Sequence, residues 1–262
     1  MNPILDVKNL GLILNGQTIL KDISFSAEKG EFIGIIGPNG AGKSSLLKCL
    51  GHLEDRATGK VALGGRALGR FTMKEIARQI AWVHQGSFDD LPFTVREFAL
   101  LSRYPWKESF AGETAEDRKI LSRVFSLTDL DGLADRPLNL LSGGERQKAL
   151  LAAALAQTTD ILFLDEPTSY LDYRHQVETL ELVARVNREE GTTIFFITHD
   201  ANLSLRCARR ILALKGGRLF WDGPREDFLS GDLPGKLFDT PFHYFSRTGG
   251  GIPYMVPEGL LK

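Results

Sequence analysis

The chain has 262 residues, enough for one large domain or two small ones. Its hydrophobic fraction of 43% and charged fraction of 25% are typical of a soluble globular protein. The 32 basic and 33 acidic residues nearly cancel, so the composition gives no support to a general nucleic-acid binder, which usually carries a basic surplus.

The predicted strands fall into two groups that together indicate an α/β fold. Short apolar segments at 4–7, 10–14 and 23–27 are bounded by Asn-Gly or Lys-Gly turns, as in antiparallel hairpins, and residues 61–65 predict a further hairpin arm. Apolar runs suited to buried strands alternate with helical patterns, which favours a largely parallel sheet; these runs are Phe32–Ile36, Ala81–His84, Ile161–Leu164 and Thr193–Thr198. We therefore expect an N-terminal antiparallel β-subdomain and an α/β core.

The strand signal disappears between Gly86 and Leu140, which predicts a helical insertion. Hydroxyl and carboxyl residues at 94 and 97, and again at 114 and 117, fit capping boxes that start helices. The tail, with Gly249-Gly250-Gly251 and three prolines, is typical of loops.

Cys49 and Cys207 are far apart in sequence, and buried reduced thiols are favoured over a disulfide.

A phosphate-binding loop is predicted between a strand and a helix. The pattern G-x-x-x-x-G-K-[ST] is matched by Gly37-Pro38-Asn39-Gly40-Ala41-Gly42-Lys43-Ser44. Glycines let backbone amides converge on phosphate oxygens, and the helix at 45–50 directs its positive end to the same anion. Lys43 can reach the β and γ phosphates, and Ser44 can ligate Mg²⁺. An ordinary glycine turn is the alternative, but the strand before it and the helix after it favour the phosphate loop.

Two adjacent carboxylates follow the predicted strand Ile161–Leu164. Ligands of open α/β sheets bind at the carboxyl ends of strands. Asp165 suits the Mg²⁺ shell of a phosphate-loop enzyme, and Glu166 suits a general base that polarises the attacking water. Taken alone, such a pair is usually a solvated strand end, whereas the phosphate loop favours the catalytic interpretation.

A third motif precedes a helix and reads Leu141-Ser142-Gly143-Gly144-Glu145. Alone it would be interpreted as a helix cap with flexible glycines. With the other motifs, in this order, the sequence resembles the nucleotide-binding domains of ABC transporters over nearly its whole length. The resemblance implies a P-loop NTPase core in one domain over 1–262. Its parts are the β-subdomain and first part of the core at 1–85, the helical subdomain at 86–140, the second part of the core at 141–240 and the tail at 241–262.

The resemblance also implies roles for residues outside the three motifs. Gln85 is similar to the glutamine that contacts Mg²⁺ and water and senses the membrane subunit. Asp172 closes a D-loop, which crosses to the partner subunit, and His199 is similar to the histidine that contacts the γ-phosphate. Ser45 stands where threonine is commoner. Leu14 stands where the family usually has an aromatic residue on adenine, so apolar contact is kept and the π-face is lost.

The resemblance also implies a head-to-tail homodimer. One chain carries one copy of each motif, so a complete pair of sites needs two chains. ATP would lie between the phosphate loop of one copy, with Lys43, Gln85 and His199, and the turn of the other, with Ser142 and Gly144. Loss of the γ-phosphate would then let the dimer open. The expected cofactors are ATP and Mg²⁺, the latter held by Ser44, Gln85 and Asp165.

Secondary motifs narrow the resemblance to importers of iron–siderophores, haem and vitamin B12, some of whose relatives carry molybdate or tungstate. They are Arg103-Tyr104-Pro105-Trp106, Thr168-Ser169-Tyr170-Leu171-Asp172 and the Pro- and Gly-rich C-terminal tail. The implied partners are a dimeric membrane permease and, indirectly, an external substrate-binding protein. An exporter ATPase and a soluble ABC ATPase for iron–sulfur assembly or DNA repair are the alternatives.

The expected location is peripheral, at the cytoplasmic face of the membrane. The first residues, Met1–Asp6, lack the pattern of a secretory signal. The longest apolar run, Ala149–Ala156, is far shorter than the roughly 20 residues that cross a bilayer. Any work at a membrane is therefore expected to pass through a partner.

Overall fold

The computed structural model describes residues 2–84, 91–107, 112–169, 171–246 and 250–260. Its strands are β1 (Leu5–Leu14), β2 (Gln17–Ala27), β3 (Phe32–Ile36), β4 (Thr58–Leu63), β5 (Arg66–Ala67), β6 (Ile80–Val83), β7 (Ile161–Asp165), β8 (Thr193–Ile197), β9 (Arg210–Lys215), β10 (Arg218–Pro224), β11 (Phe242–Phe245) and β12 (Tyr254–Pro257). Its α-helices are α1 (Lys43–Leu50), α2 (Met73–Ala77), α3 (Val95–Leu101), α4 (Ala115–Thr128), α5 (Gly143–Ala156), α6 (Tyr173–Glu190), α7 (Ala201–Cys207), α8 (Arg225–Leu229) and α9 (Leu233–Phe238). Within these described ranges, no helix has the length and apolar character needed to cross a membrane.

The chain forms two units, and the first comprises residues 1–70 and 193–262. Its antiparallel sheet has the strand order β2-β1-β4-β5, which confirms the predicted β-subdomain. The prediction of three short segments was wrong, because β1 and β2 are continuous strands with register shifts. Asn9 and Asp22 have φ of 51° and 54° inside these strands. Asn and Asp tolerate this left-handed conformation, so here they mark irregularities within a strand and not its end.

The first unit also contains the parallel strands on which the phosphate loop depends. Strand β3 pairs in parallel with both β8 and β9, and β10 closes this group antiparallel to β9. Every residue of β3 and β8 is buried, as the continuous apolar runs predict. Phe32 and Phe196 meet edge to face, with ring centroids 6.2 Å apart. Because β3 and β8 are parallel neighbours, the segments that follow them leave the sheet at the same edge.

The second unit comprises residues 71–192. Strands β6 and β7 pair in parallel, and between residues 91 and 140 the described part of the chain consists of helices, turns and one isolated bridge, in agreement with the predicted insertion. Both predicted capping boxes are present. Thr94 Oγ1 accepts from the Glu97 amide at 3.2 Å, and Thr114 Oγ1 accepts from the Asp117 amide at 3.1 Å. The four-part division predicted from the sequence stays a prediction.

A buried ion pair ties the helices of the second unit together. Arg103 Nε lies 3.0 Å from Asp117 Oδ1, and the two residues are 5% and 3% exposed. Arg103 Nη1 also donates to Ala156 O and Thr158 Oγ1, both at 2.9 Å. Burial acts to raise the pKa of Asp117, but hydrogen bonds from Thr114 and Arg103 hold it below its usual value. The carboxyl is therefore ionised at neutral pH and compensates the buried guanidinium.

The tail is more ordered than its composition predicts. Strands β11 and β12 form an antiparallel hairpin, so the loop prediction was wrong for these residues, while Gly249 lies outside the described ranges. The Asn202 side chain fixes the hairpin, since its Oδ1 accepts from Met255 N at 2.8 Å and its Nδ2 donates to Met255 O at 3.1 Å. Met255 is buried. These contacts across more than 50 residues cannot be read from a local pattern.

Both cysteines are free thiols, as predicted. Cys49 is buried in α1, and Cys207 ends α7 in a partly buried position. Burial raises the pKa of each thiol to about 11. The reactive thiolate form is therefore scarce at neutral pH, and neither side chain is a candidate nucleophile.

Candidate functional site

The phosphate loop begins where β3 ends, and its glycines have backbone conformations that other residues rarely adopt. Gly37, Gly40 and Gly42 have φ of 150°, 75° and 96°. A Cβ at Gly37 would overlap the carbonyl of Leu214, and a Cβ at Gly42 would lie 2.7 Å from Leu20 Cδ2. Backbone conformation and close packing both require glycine at the first and last of these positions.

Lys43 is the buried cation of this loop. Its side-chain Nζ donates to Gly37 O at 2.8 Å and to Pro38 O at 3.0 Å, and the residue is 7% exposed. The lysine head group therefore lies over the loop, where phosphate oxygens of a nucleotide would find a positive charge. Helix α1 starts at Lys43, two residues before the predicted start, so Ser44 and Ser45 lie in its first turn. Ala41 is buried, whereas Asn39 and Gly40 are exposed.

The first unit contains two further predicted residues. His199 follows β8, the parallel neighbour of β3, and is exposed at the same edge of the sheet. Leu14 ends β1 and is half-buried. It lies two positions beyond Leu12, which pairs with Leu20, and Leu20 packs against Gly42 of the loop. The adenine contact expected of Leu14 stays a prediction.

The carboxylates of the second unit emerge at the end of β7, as predicted. Asp165 is the last residue of the strand, and Asp165 and Glu166 are 7% and 8% exposed. Glu166 has φ of 56°, a conformation that costs of order 1–3 kcal/mol for a residue with a side chain. Ser169 Oγ donates to Glu166 Oε2 at 3.0 Å, and Ser169 N donates to Glu166 O at 3.2 Å. The turn around Ser169 therefore holds a carboxylate in a strained position, a combination that is commonest at functional sites.

The Ser-Gly-Gly turn starts α5 with a capping box. Ser142 Oγ accepts from Glu145 N at 3.3 Å, while Ser142 N and Oγ donate to Glu145 Oε2 at 2.8 Å each. These bonds hold the pKa of Glu145 below its usual value. The helix-cap interpretation is thus realised, and it is compatible with anion binding, since the amides of Gly143 and Gly144 lie in the first turn and have no acceptor within the helix.

Asp172 caps the N-terminus of α6 and also holds a histidine that the sequence analysis overlooked. Asp172 Oδ1 accepts from His175 N at 2.9 Å and lies 2.8 Å from His175 Nδ1. The imidazole packs on Gly144, where any Cβ would overlap the ring. Gln176 Nε2 donates to Leu171 O at 3.1 Å, which fixes the end of the D-loop. The signal for His175 was the Asp-x-x-His spacing, which matches an N-cap with its third helical residue.

The structure therefore distributes the predicted site residues between the two units. The phosphate loop, Leu14 and His199 belong to the first unit, and Asp165, Glu166, the Ser142–Gly144 turn and Asp172 belong to the second. Gln85 and Tyr170 lie outside the described residues. Among the described residues, no group of three or more His, Cys, Asp or Glu side chains is placed to hold a metal ion. The hydroxyl of Ser44 and the carboxylate of Asp165 are oxygen donors of the type that Mg²⁺ takes together with nucleotide phosphates.

Comparisons with known proteins agree with these motifs. The family model described as ABC transporter matches residues 20–169. The iron(3+)-hydroxamate import ATP-binding protein of Bacillus subtilis (strain 168) is 36% identical, over 98% of this chain and 96% of its own. A structure described as an inward-facing metal-chelate type ABC transporter has a TM-score of 0.85 at 27% identity, covering 99% of this chain and 100% of that one. A dimeric post-hydrolysis ATP-binding cassette with ADP and phosphate bound has a TM-score of 0.73 at 28% identity, covering 84% and 98%.

Proposed function

Because the chain belongs to the ABC transporter family of ATP-binding proteins, we propose that it is the ATP-hydrolysing subunit of an importer for metal chelates, with iron–siderophores, haem or vitamin B12 as the substrate class. The observation that carries this proposal is the near full-length similarity to an iron(3+)-hydroxamate import ATP-binding protein, at 36% identity. The similarity to a metal-chelate type transporter, over 99% of the chain, supports the same class.

The chain binds and hydrolyses ATP, and the proposed roles follow from the geometry of each motif. Lys43, held over its loop, neutralises the β and γ phosphates, and the helix that starts there supports the same charge. Ser44, Asp165 and Gln85 would hold Mg²⁺, which would neutralise charge on the phosphates. Glu166 orients the attacking water and accepts its proton, and its turn keeps the carboxylate fixed.

A composite site requires two copies of the chain. Each copy carries one phosphate loop and one Ser-Gly-Gly turn, and a twofold axis gives two equal sites. The first-turn amides of Gly143 and Gly144, with the hydroxyl of Ser142, contact the γ-phosphate held by Lys43 and His199 of the other copy. Similarity to a dimeric cassette with ADP and phosphate bound supports this arrangement. Hydrolysis then removes the γ-phosphate contacts and lets the copies separate.

The remaining partners in the proposal are a membrane permease and, indirectly, an external substrate-binding protein. The relative named above is an import ATP-binding protein, which supports a transporter complex. The subunit would sit at the cytoplasmic face of the membrane as a peripheral component. The segment at 86–106, which directly follows Gln85, would form the coupling surface that faces the permease.

The test of the ATPase assignment is Glu166→Gln. We expect turnover to fall by roughly 10²–10⁴, the usual contribution of a general base, while ATP binding survives. The amide also removes repulsion from the γ-phosphate, so an ATP-bound dimer should accumulate on size-exclusion chromatography. The matched control is Glu181→Gln, the same change at an exposed position of α6. Wild-type turnover in the Glu166 variant would refute the assignment.

A further inference from the structure

One side chain joins two motifs of the second unit through Gly144 and Asp172, which are 28 residues apart in sequence. The His175 imidazole has its Nδ1 2.8 Å from Asp172 Oδ1, at the end of the D-loop. The other side of the ring covers Gly144, which is buried although it lies in the first turn of α5. His175 itself is 33% exposed in its side chain. The D-loop and the Ser142–Glu145 turn therefore share one packing element.

Charge and helix packing reinforce this contact. Hydrogen bonds from the backbone and ring of His175 hold the pKa of Asp172 below its usual value. Glu145, next to Gly144, is bonded to Ser142, and a protonated His175 would also favour its ionised form. Farther along the same two helices, Lys148 Nζ lies 3.1 Å from Glu178 Oε2. The imidazole thus connects the start of α5 to the start of α6, and the Lys148–Glu178 ion pair connects the same two helices farther along.

We propose that His175 is a positioning residue for ATP hydrolysis, which links the D-loop to the Ser-Gly-Gly turn so that the two move as one body. This rests on the proposed function, in which both segments meet the partner copy. When the first-turn amides of α5 bind the γ-phosphate, they also fix the position of Asp172. A displacement of the D-loop in turn moves the amides that bind the γ-phosphate. The contact also explains glycine at position 144, because a methyl group there would expel the ring.

The ordinary interpretation of this histidine is a residue in a capped helix turn with no part in hydrolysis. Two features separate the interpretations. The cap of α6 uses the backbone amide of residue 175 as donor to Asp172, at 2.9 Å, so it persists whatever side chain stands there. The ring contact with Gly144 does not contribute to that cap. A substitution of His175 should therefore leave folding close to that of the parent protein while altering the response to ATP.

The first experiment compares His175→Ala, His175→Asn and Arg174→Ala, each in the full chain. The asparagine amide can replace Nδ1 as donor to Asp172, and Arg174, 81% exposed, is a neighbouring control on the same helix. We expect kcat/KM for ATP to fall by about tenfold in the alanine variant, the value of one hydrogen bond to a charged group. Asparagine keeps the donor to Asp172 but lacks the ring over Gly144, so it should restore only part of kcat/KM, and the control should match wild type. In the Glu166→Gln background, the ATP concentration for half-maximal dimer formation should rise by about the same factor.

The second experiment adds Gly144→Ala to the wild-type and His175→Ala proteins. Because the His175→Ala protein lacks the ring, Gly144→Ala should lower its ATPase activity less than it lowers that of wild type. The difference between the two losses measures the contact between His175 and Gly144 directly. Equal losses in both backgrounds, or a His175→Ala protein with wild-type kcat/KM, would overturn the proposal. So would a lower melting temperature with unchanged kinetics. If Glu166→Gln alone fails to dimerise with ATP, the composite site is refuted, and the kinetics of the His175 variants still decide its positioning role.

Discussion

The buried pair of Arg103 and Asp117 allows a quantitative prediction about stability. Asp117→Asn keeps the shape of the side chain and a side-chain oxygen that accepts from Thr114, but removes the charge opposite a guanidinium that is 5% exposed. Removing one partner of a buried ion pair usually costs about 3–5 kcal/mol, because the remaining charge stays desolvated. Arg103 keeps its bonds to Ala156 and Thr158, which places the expected loss at the lower end, about 3 kcal/mol.

For a chain of this size each kcal/mol corresponds to about 2–4 °C in Tm, so the variant should melt about 6–12 °C lower. Urea unfolding followed by circular dichroism measures the free energy directly. Asp239→Asn makes the same chemical change at an ion pair whose carboxyl is 78% exposed, and it should have little effect. A loss at Asp117 no larger than that at Asp239 would refute the reasoning.

The pH dependence of this difference gives a second check on the same pair. The folded pKa of Asp117 lies below its unfolded value of about 3.9. The ionised carboxyl therefore contributes its stability fully above that unfolded value, and the contribution is lost as the pH falls through the lower folded value. The stability difference between wild type and Asp117→Asn should be largest near pH 7 and should shrink below about pH 4. A difference that stayed constant to pH 3 would contradict the assignment of the charge to Asp117.

Three further predictions concern nucleotide binding, assembly and coupling. Leu14→Tyr should tighten ATP binding by no more than about tenfold, since ring contacts contribute about 0.5–1.5 kcal/mol, and should raise discrimination against GTP in equilibrium titrations; no change in either would place the adenine contact elsewhere. Lys43→Ala and Ser142→Arg should each abolish ATPase activity, and a mixture should recover some by forming one intact composite site, whereas full activity from a monomer would contradict shared sites. Tyr104→Ala should reduce transport by the reconstituted complex but spare ATPase activity of the isolated subunit, because the residue is 60% exposed. Intact transport in this variant would exclude the coupling surface. Trp106→Ala serves as a structural comparison, since Trp106 Nε1 donates to Gln157 O at 2.7 Å.

The sequence predicted those elements whose signals are local. Strand β3 has the bounds Phe32–Ile36 that its apolar run indicates, because a strand buried on both faces needs no alternation. The two capping boxes were visible because a hydroxyl and a carboxyl three residues apart satisfy each other directly. The phosphate loop was visible for a similar reason, since its glycines and lysine act within eight consecutive residues. The catalytic and binding roles assigned to these residues stay predictions.

Features that depend on distant residues were not predictable in this way. Asn9 and Asp22 resemble strand ends, but pairing with neighbouring strands carries β1 and β2 past them. Nothing in the sequence around Glu166 indicates its left-handed backbone, which the turn at Ser169 stabilises. The contact of His175 with Gly144 requires α5 and α6 to be packed together first. In each case the deciding interaction comes from tertiary structure and not from propensity.

The bond between Asn202 and Met255 has a consequence for deletion mapping of the tail. Asn202 lies in the first turn of α7, three residues after His199, and both of its side-chain amide groups are satisfied by the backbone of the terminal hairpin. A chain truncated before β12 would leave those groups without their acceptor and donor, and would uncover the side chain on which the hairpin rests. Loss of activity in such a truncated chain would therefore report on the support of α7, which begins two residues after His199, as much as on any task of the tail itself.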